Sequence, residues 1–365
     1  MIRGINSRIH RCFLKPQYPT FLLVSVTERC NCRCKMCHIW RKKDVRDISL
    51  QDYRKIFSDP LWKELKILSL TGGEPFLRND LKDIMLSAAE IFPRLERISM
   101  PTNGVLSDRT ARVVKETLEQ LPKNIDVKVG VSLDGPEELH DEMRGVPGGF
   151  QKALRTVEQL SEICDENFEV GILSLIMPEN VSLLKEAHRI FRQYTDKITY
   201  TLITESEFFG NEAEESPLYS GEDIQKILDF INHILIPQYP EKAYIYAKYR
   251  DHLIMKRRTY PCLAGFRSAY LDPEGNLLPC HYAGKKFAMG NFFEEKQSLE
   301  KSWFSSQALK VRKKLENNPY CRSCSNNCDT RNIVQEDFWN FFGFLITHPS
   351  IPVKALMRNN KNNRG

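Results

Sequence analysis

Phe21-Leu22-Leu23-Val24-Ser25-Val26-Thr27-Glu28-Arg29-Cys30-Asn31-Cys32-Arg33-Cys34-Lys35-Met36-Cys37-His38-Ile39-Trp40 is the stretch that decides the fold. Its first six residues form a run rich in apolar side chains that reads as a buried strand. Four cysteines then crowd into eight positions. A thiolate is a soft ligand, and a tight cysteine cluster in an intracellular-looking chain reads as a metal or iron–sulfur site before it reads as disulfides. Cys30, Cys34 and Cys37 follow the spacing C-x3-C-x2-C. Three cysteines on one loop can hold three irons of a [4Fe–4S] cube and leave the fourth iron open. Zinc takes the same thiolates, so the spacing alone leaves a small zinc site as the alternative. Cys32 stands off the spacing and reads as a bystander.

The chain around this loop has 365 residues, enough for one large domain with an appendage or for two domains. Residues 1–20 carry Arg3, Arg8, Arg11 and Lys15 but no apolar segment of the secretory kind, and no window reads as a membrane span. The 11 cysteines fall in two clusters and a few singles, which suits a reducing cytosol. A net charge of +6 is mild for this length and gives no argument for nucleic acid.

Outward from the cysteine loop, strand and helix patterns alternate six times over residues 21–236. Ser49 caps a helix through Phe57. Strand 66–70 runs into Thr71-Gly72-Gly73-Glu74-Pro75, and a helix starts near Asp80. Strand 97–100 ends at Thr102-Asn103-Gly104, and a helix covers 107–121. Strand 127–133 ends at Asp134-Gly135-Pro136. Helix 149–164, strand 168–176, helix 180–194 and strand 197–203 follow. This rhythm means parallel strands with crossover helices, in an open sheet or a partial barrel. The candidate functional residues fall at strand C-termini, where barrels carry their chemistry. Glycines in Gly72-Gly73-Glu74-Pro75 allow close backbone approach to a ligand, and a carboxylate there can accept from an ammonium. A plain turn with a solvated glutamate is the simpler account of that motif taken alone.

Together these segments resemble the radical S-adenosylmethionine (SAM) enzymes. The resemblance implies a partial (β/α)6 barrel. It implies a [4Fe–4S] cluster on Cys30, Cys34 and Cys37 whose open iron binds the amino and carboxylate groups of SAM, with cleavage to a 5′-deoxyadenosyl radical. Gly72, Gly73 and Glu74 then hold the methionyl amino group. Asn103 matches more weakly. Ser132 and Asp134 match the segment that contacts the ribose side. Arg144, in His140-Asp141-Glu142-Met143-Arg144-Gly145, matches an arginine that faces the SAM carboxylate, a role its bidentate fork suits.

A second cysteine set, Cys262, Cys280, Cys321, Cys324 and Cys328, lies beyond an acidic, rhythm-breaking segment at 204–223 and helices near 221–236 and 241–257. Asp272-Pro273-Glu274-Gly275-Asn276 is a hairpin turn that delivers Cys280. A helix is expected from Ser298 to Leu315, before Cys321-x2-Cys324-x3-Cys328. This region resembles the SPASM/Twitch extension of radical SAM enzymes. The resemblance implies one auxiliary [4Fe–4S] cluster, most simply on Cys262, Cys280, Cys321 and Cys324, with Cys328 spare or exchanging with one of them. A zinc site is the alternative here too. Cys12 and Cys164 are isolated and read as structural.

The expected organisation is an N-terminal extension (1–20), the barrel (21–236), a bridging helix (237–260), the auxiliary cluster domain (261–330), and an aromatic helix with a basic tail (331–365). Aromatics at 337–346 followed by Lys354, Arg358, Lys361 and Arg364 read as a packed helix with a loose tail, or else as a membrane-surface foot. The resemblance implies an oxidoreductase fed by a flavodoxin or ferredoxin. Because the first strand starts near residue 21, dehydrogenation of a small molecule or sugar is favoured. Thioether or carbon–carbon crosslinking of a peptide is the alternative, and a non-catalytic zinc or iron–sulfur scaffold is the alternative of another class.

Overall fold

The apolar run becomes β1 (Phe21–Thr27), buried along its length except at Leu23. A strand buried on both faces belongs inside a parallel sheet. β1 pairs in parallel with β2 (Ile67–Gly72) on one side and with β7 (Ser268–Leu271) on the other. The structure, a computed structural model, describes residues 15–204, 209, 218–294, 298–325 and 337–348.

From β2 the sheet runs outward in parallel through β3 (Arg97–Thr102), β4 (Asp126–Ser132), β5 (Phe168–Ile176) and β6 (Ile198–Leu202). The order β6-β5-β4-β3-β2-β1 follows the sequence without reversal. Right-handed crossovers then put the connecting helices on one face, as in a barrel wall, rather than on both faces as in a doubly wound sheet. β1 and β6 are not neighbours, so the wall stays open: it is the partial barrel. The wall helices are α1 (Leu50–Phe57), α2 (Leu81–Ile91), α3 (Ser107–Leu118), α4 (Glu137–Arg144), α5 (Gly149–Ser161) and α6 (Leu184–Phe191). Tyr53, Phe57, Trp62, Phe76 and Phe191 are buried between them and the sheet.

Two details differ from the sequence reading. The stretch His140–Arg144 lies in a helix, α4, that ends at Gly145 in the left-handed region (φ 63°). The expected helix 298–315 is two helices, Leu299–Trp303 and Ser306–Asn317, meeting at Phe304–Ser305. The Ser305 side chain accepts from the Ala308 N–H (3.1 Å) and starts the second one afresh.

After α7 (Gly221–Phe230) and α8 (Ala243–Met255), the hairpin of the second cysteine region joins the barrel's own sheet. Among the described residues, β7, β8 (Asn276–Leu278) and β9 (Gly290–Asn291) bring this sheet to nine strands, the last two pairings antiparallel. The carboxylate of Asp272 accepts the Glu274 and Asn276 N–H groups (2.9 and 2.8 Å) and shapes the turn. α9 (Leu299–Trp303) is tied back to the barrel. Asp59 accepts the Leu299 and Glu300 N–H groups (2.7 and 3.0 Å), and Trp303 Nε1 donates to the Gln17 carbonyl (2.9 Å). α10 (Ser306–Asn317) and α11 (Pro319–Ser323) follow.

α12 (Phe338–Thr347) packs on α8: Phe341 and Phe344 meet Tyr244 edge-on at 5.2 and 5.4 Å, and Asp337 pairs with Lys248 at 3.3 Å. Phe342 and Ile346 face outward. Among the described residues no helix is long and apolar enough to cross a membrane. The basic tail, Cys12, Cys328 and most of the acidic segment lie outside the described residues.

Candidate functional site

The C-terminal ends of the six parallel strands converge on one cavity of about 310 Å³. Cys30, Cys34 and Cys37 line it, with Gly72, Gly73 and Glu74 after β2, Asn103 after β3, Ser132 at the end of β4, and Arg144 at the end of α4. Leu173 and Leu175 of β5, Thr201 of β6, Phe209 and Tyr282 complete the wall.

Backbone contacts hold the cysteine loop from three directions. Gly73 N–H donates to the Thr27 carbonyl and Glu74 N–H to the Arg29 carbonyl, both at 2.8 Å. A Cβ on Gly73 would stand 2.1 Å from the Arg29 carbonyl oxygen, and one on Gly72 (φ 131°) 2.0 Å from that of Thr27. These glycines therefore bring the loop after β2 against the cysteine loop itself, a closer constraint than approach to a ligand. Arg33 and Lys35 N–H groups donate to the carbonyls of Arg144 and Met143 (3.0 and 2.9 Å), so α4 carries the middle of the loop. His38 N–H donates to the Phe209 carbonyl (2.7 Å).

Glu74 is 1% exposed, and its oxygens accept from the Asn103 N–H (2.7 Å), the Thr102 hydroxyl (2.9 Å) and the Phe76 N–H (3.2 Å). Burial pushes this carboxyl up to about 7, against the pull of those donors and of Arg144. Asn103 Nδ2 donates to Asn31 Oδ1 (2.6 Å), joining β3 to the cysteine loop. Asp134 is fully buried behind the wall and does not line the cavity. One of its oxygens accepts the Leu175 N–H (3.0 Å); the other takes Arg144 Nε and its terminal nitrogen, both at 2.6 Å. It thus orients Arg144, whose other terminal nitrogen stands 3.9 Å from Cys34 Sγ. Burial opposes the Arg144 charge, but Asp134 and Cys34 hold its guanidinium above its usual range.

Cys32, the cysteine off the spacing, is buried and lines the cavity beside Cys30 and Cys34. Its thiol lowers that of Cys34 to about 6, while burial raises Cys37 to about 11. Three thiols on one cavity wall, one of them beside a cation, are a donor set suited to an iron–sulfur cube. Among the described residues no three His, Cys, Asp or Glu side chains close tightly enough for a single ion; a cube takes its thiolates from farther apart.

Cys262, Cys280, Cys321 and Cys324 are each partly buried. The Arg258 guanidinium hydrogen-bonds Cys324, and its charge reaches Cys262 as well. Cys280 Sγ accepts the Tyr282 N–H (3.4 Å), and the Tyr282 side chain reaches the cavity wall, where it meets Phe209 edge-on at 5.7 Å. Arg258 and Tyr282 were not singled out from the sequence. Each is one residue of a common type, with no motif around it.

Residues 24–190 match the Radical SAM superfamily model and residues 262–329 the SPASM iron–sulfur cluster-binding domain. The antilisterial bacteriocin subtilosin biosynthesis protein AlbA of Bacillus subtilis is 24% identical over 293 residues, 78% of this chain and 59% of AlbA. Fe-coproporphyrin III synthase of Methanosarcina barkeri is 31% identical over 46% of this chain and 40% of its own length. The chain therefore spans only about half the length of these relatives. The structure of anSMEcpe with bound AdoMet superposes with a TM-score of 0.60 at 17% identity, covering 90% of this chain and 98% of that one. The chain belongs to the radical SAM superfamily and carries a C-terminal SPASM domain, so its cofactors are S-adenosylmethionine and [4Fe–4S] clusters.

Proposed function

We propose that this chain is a radical SAM oxidoreductase acting on a peptide side chain. In this reading Cys30, Cys34 and Cys37 hold the SAM cluster, and Cys262, Cys280, Cys321 and Cys324 hold one auxiliary cluster. With SAM bound, the first cluster would supply one-electron reducing power there, for hydrogen-atom abstraction from the substrate. The observation that carries the reading is the meeting of Cys30, Cys34 and Cys37 with Gly73, Glu74, Asn103, Ser132 and Arg144 on one cavity.

The residues divide the work. Glu74 offers its carboxylate to the methionyl ammonium while Thr102 and the Asn103 N–H fix its rotamer. Arg144, oriented by Asp134, faces the SAM carboxylate. Asn103 and Ser132 supply polar atoms on neighbouring strands, and Leu173 and Leu175 make the wall apolar and help exclude water. Tyr282 stands between the cavity and Cys280, which supports a role for the auxiliary site close to the substrate. An electron donor of the flavodoxin or ferredoxin class supplies the reductant.

The peptide reading draws on AlbA, a bacteriocin biosynthesis protein, whose likeness covers 78% of the chain. The small-molecule reading, favoured from the sequence, now comes second, supported by the likeness to Fe-coproporphyrin III synthase over 46% of the chain. Protein reconstituted without oxygen is given SAM and dithionite, beside a Cys30→Ala, Cys34→Ala, Cys37→Ala control. Release of 5′-deoxyadenosine by the wild type alone is the expected result; none, with clusters loaded, counts against the reaction. Candidate peptides and porphyrins are then compared for acceleration of that release and for loss of hydrogen by mass spectrometry.

A further inference from the structure

We propose that Arg258 is a positioning residue that tunes the auxiliary cluster toward accepting an electron, an inference that rests on reading Cys262 and Cys324 as ligands. Arg258 lies just past α8, four residues before Cys262, and is 8% exposed. A buried cation is costly to hold unless charged or polar groups surround it. Here the guanidinium hydrogen-bonds the Cys324 thiol, its charge reaches Cys262, and it sits 4.7 Å above the ring of Tyr260.

The backbone around it is a clamp. Arg258 N–H donates to the Arg322 carbonyl (2.7 Å), and the Tyr260 hydroxyl donates to the Ser325 carbonyl (2.7 Å). These two bonds flank Cys324 and fix its approach to the guanidinium. The clamp uses the main-chain N–H of Arg258, so changing the side chain leaves it in place.

An arginine keeps its charge at every working pH, so its effect on neighbouring thiolates is constant. A cluster that gains an electron gains a negative charge. A fixed cation in a poorly screened interior stabilises that reduced form more than the oxidised one. Charge and hydrogen bonds at the sulfurs are among the levers that set iron–sulfur potentials. Arg258 applies its charge to both thiolates and a hydrogen bond to that of Cys324, and so makes the cluster they hold a better electron acceptor. That bias suits net oxidation of the substrate.

The test is an EPR-monitored redox titration of the anaerobically reconstituted holoprotein, comparing wild type with Arg258→Met and Arg258→Lys, alongside iron analysis. The expected result is a more negative midpoint for the auxiliary cluster in Arg258→Met, with the SAM cluster unmoved, iron held at about eight per chain for two cubes, and substantial recovery in Arg258→Lys. An unmoved auxiliary midpoint at full iron overturns the proposal. Loss of iron from Arg258→Met overturns it in favour of a purely structural arginine. Should Cys262→Ala with Cys324→Ala keep full iron, the ligand assignment itself fails, a separate result.

Discussion

Gly73 shows how one hydrogen atom in place of a methyl group decides whether a loop can carry a cofactor. The obstruction a Cβ would meet is the Arg29 carbonyl, a main-chain atom one residue before Cys30, which no rotamer change can move aside. Gly73→Ala is expected to push the cysteine loop off its place at a cost of ~1–3 kcal/mol of overpacking. Iron analysis should find about four irons lost and about four kept; a fully loaded variant would refute the constraint. Glu74 carries a second prediction. Its folded pKa of about 7 lies above the ordinary 4.5 of a glutamate carboxyl, so folding takes up a proton between those two values. In the absence of SAM its burial therefore costs stability in full above about pH 7, and that cost fades as pH falls toward 4.5. Its charge, needed to meet an ammonium, is present above about 7 and lost below it. The affinity of cluster-loaded protein for SAM, measured by equilibrium dialysis, should fall as pH drops through that value. Glu74→Gln should weaken binding above it by about tenfold to a hundredfold, the loss of a charge-assisted hydrogen bond of ~1.5–3 kcal/mol, and flatten the profile. A wild-type affinity independent of pH would remove Glu74 from the ammonium site.

At the scale of elements, the strands were legible because their signal is local. Runs such as Phe21–Val26 and Val127–Leu133, with turn residues after them, announce a strand whatever surrounds them. The rhythm gave parallel strands with crossover helices, the family resemblance chose the barrel over an open sheet, and strand ends gave most of the cavity. α4 was not legible as a helix: at eight residues it is short, rich in charge, and held by Gly145 and by Asp141, which caps α5 through the Phe150 N–H (2.7 Å). The break at Phe304–Ser305 was hidden because both halves carry a helical pattern, and only the cap of Ser305 separates them. Neither Asp134's place behind the wall nor Asp59's reach to α9 has a pattern in sequence, since each depends on contacts between distant segments. The two Asp59 bonds satisfy N–H groups at the start of α9 that its own helix cannot. Asp59→Ala is expected to cost about 1 kcal/mol, in the range of a lost cap, and to lower the melting temperature by a few degrees. No change in melting would mean that Ser298 and solvent carry the start of α9 unaided.

For the whole molecule, the decisive feature is that the sheet does not stop where the barrel ends. β7 pairs along β1 from Phe21 to Val24, on the side opposite β2, so the strand that leads into the cysteine loop is central only because the C-terminal region covers it. The expected division near residues 237–260 cuts across this pairing. A fragment ending at residue 260 would leave the parallel edge of Phe21–Val24 uncovered, with Leu22 and Val24, both fully buried in the chain, close to solvent. An exposed apolar edge of that kind recruits other chains. It would also free α8 from α12, which holds it through Asp337, Phe341 and Phe344. The fragment is therefore expected to run as aggregate on size exclusion and to load little iron, while the full chain reconstituted with its clusters unfolds in a single calorimetric transition. A monodisperse fragment carrying about four irons would show instead that the barrel closes its own edge, and that the shared sheet is a docking contact between two independent folding units.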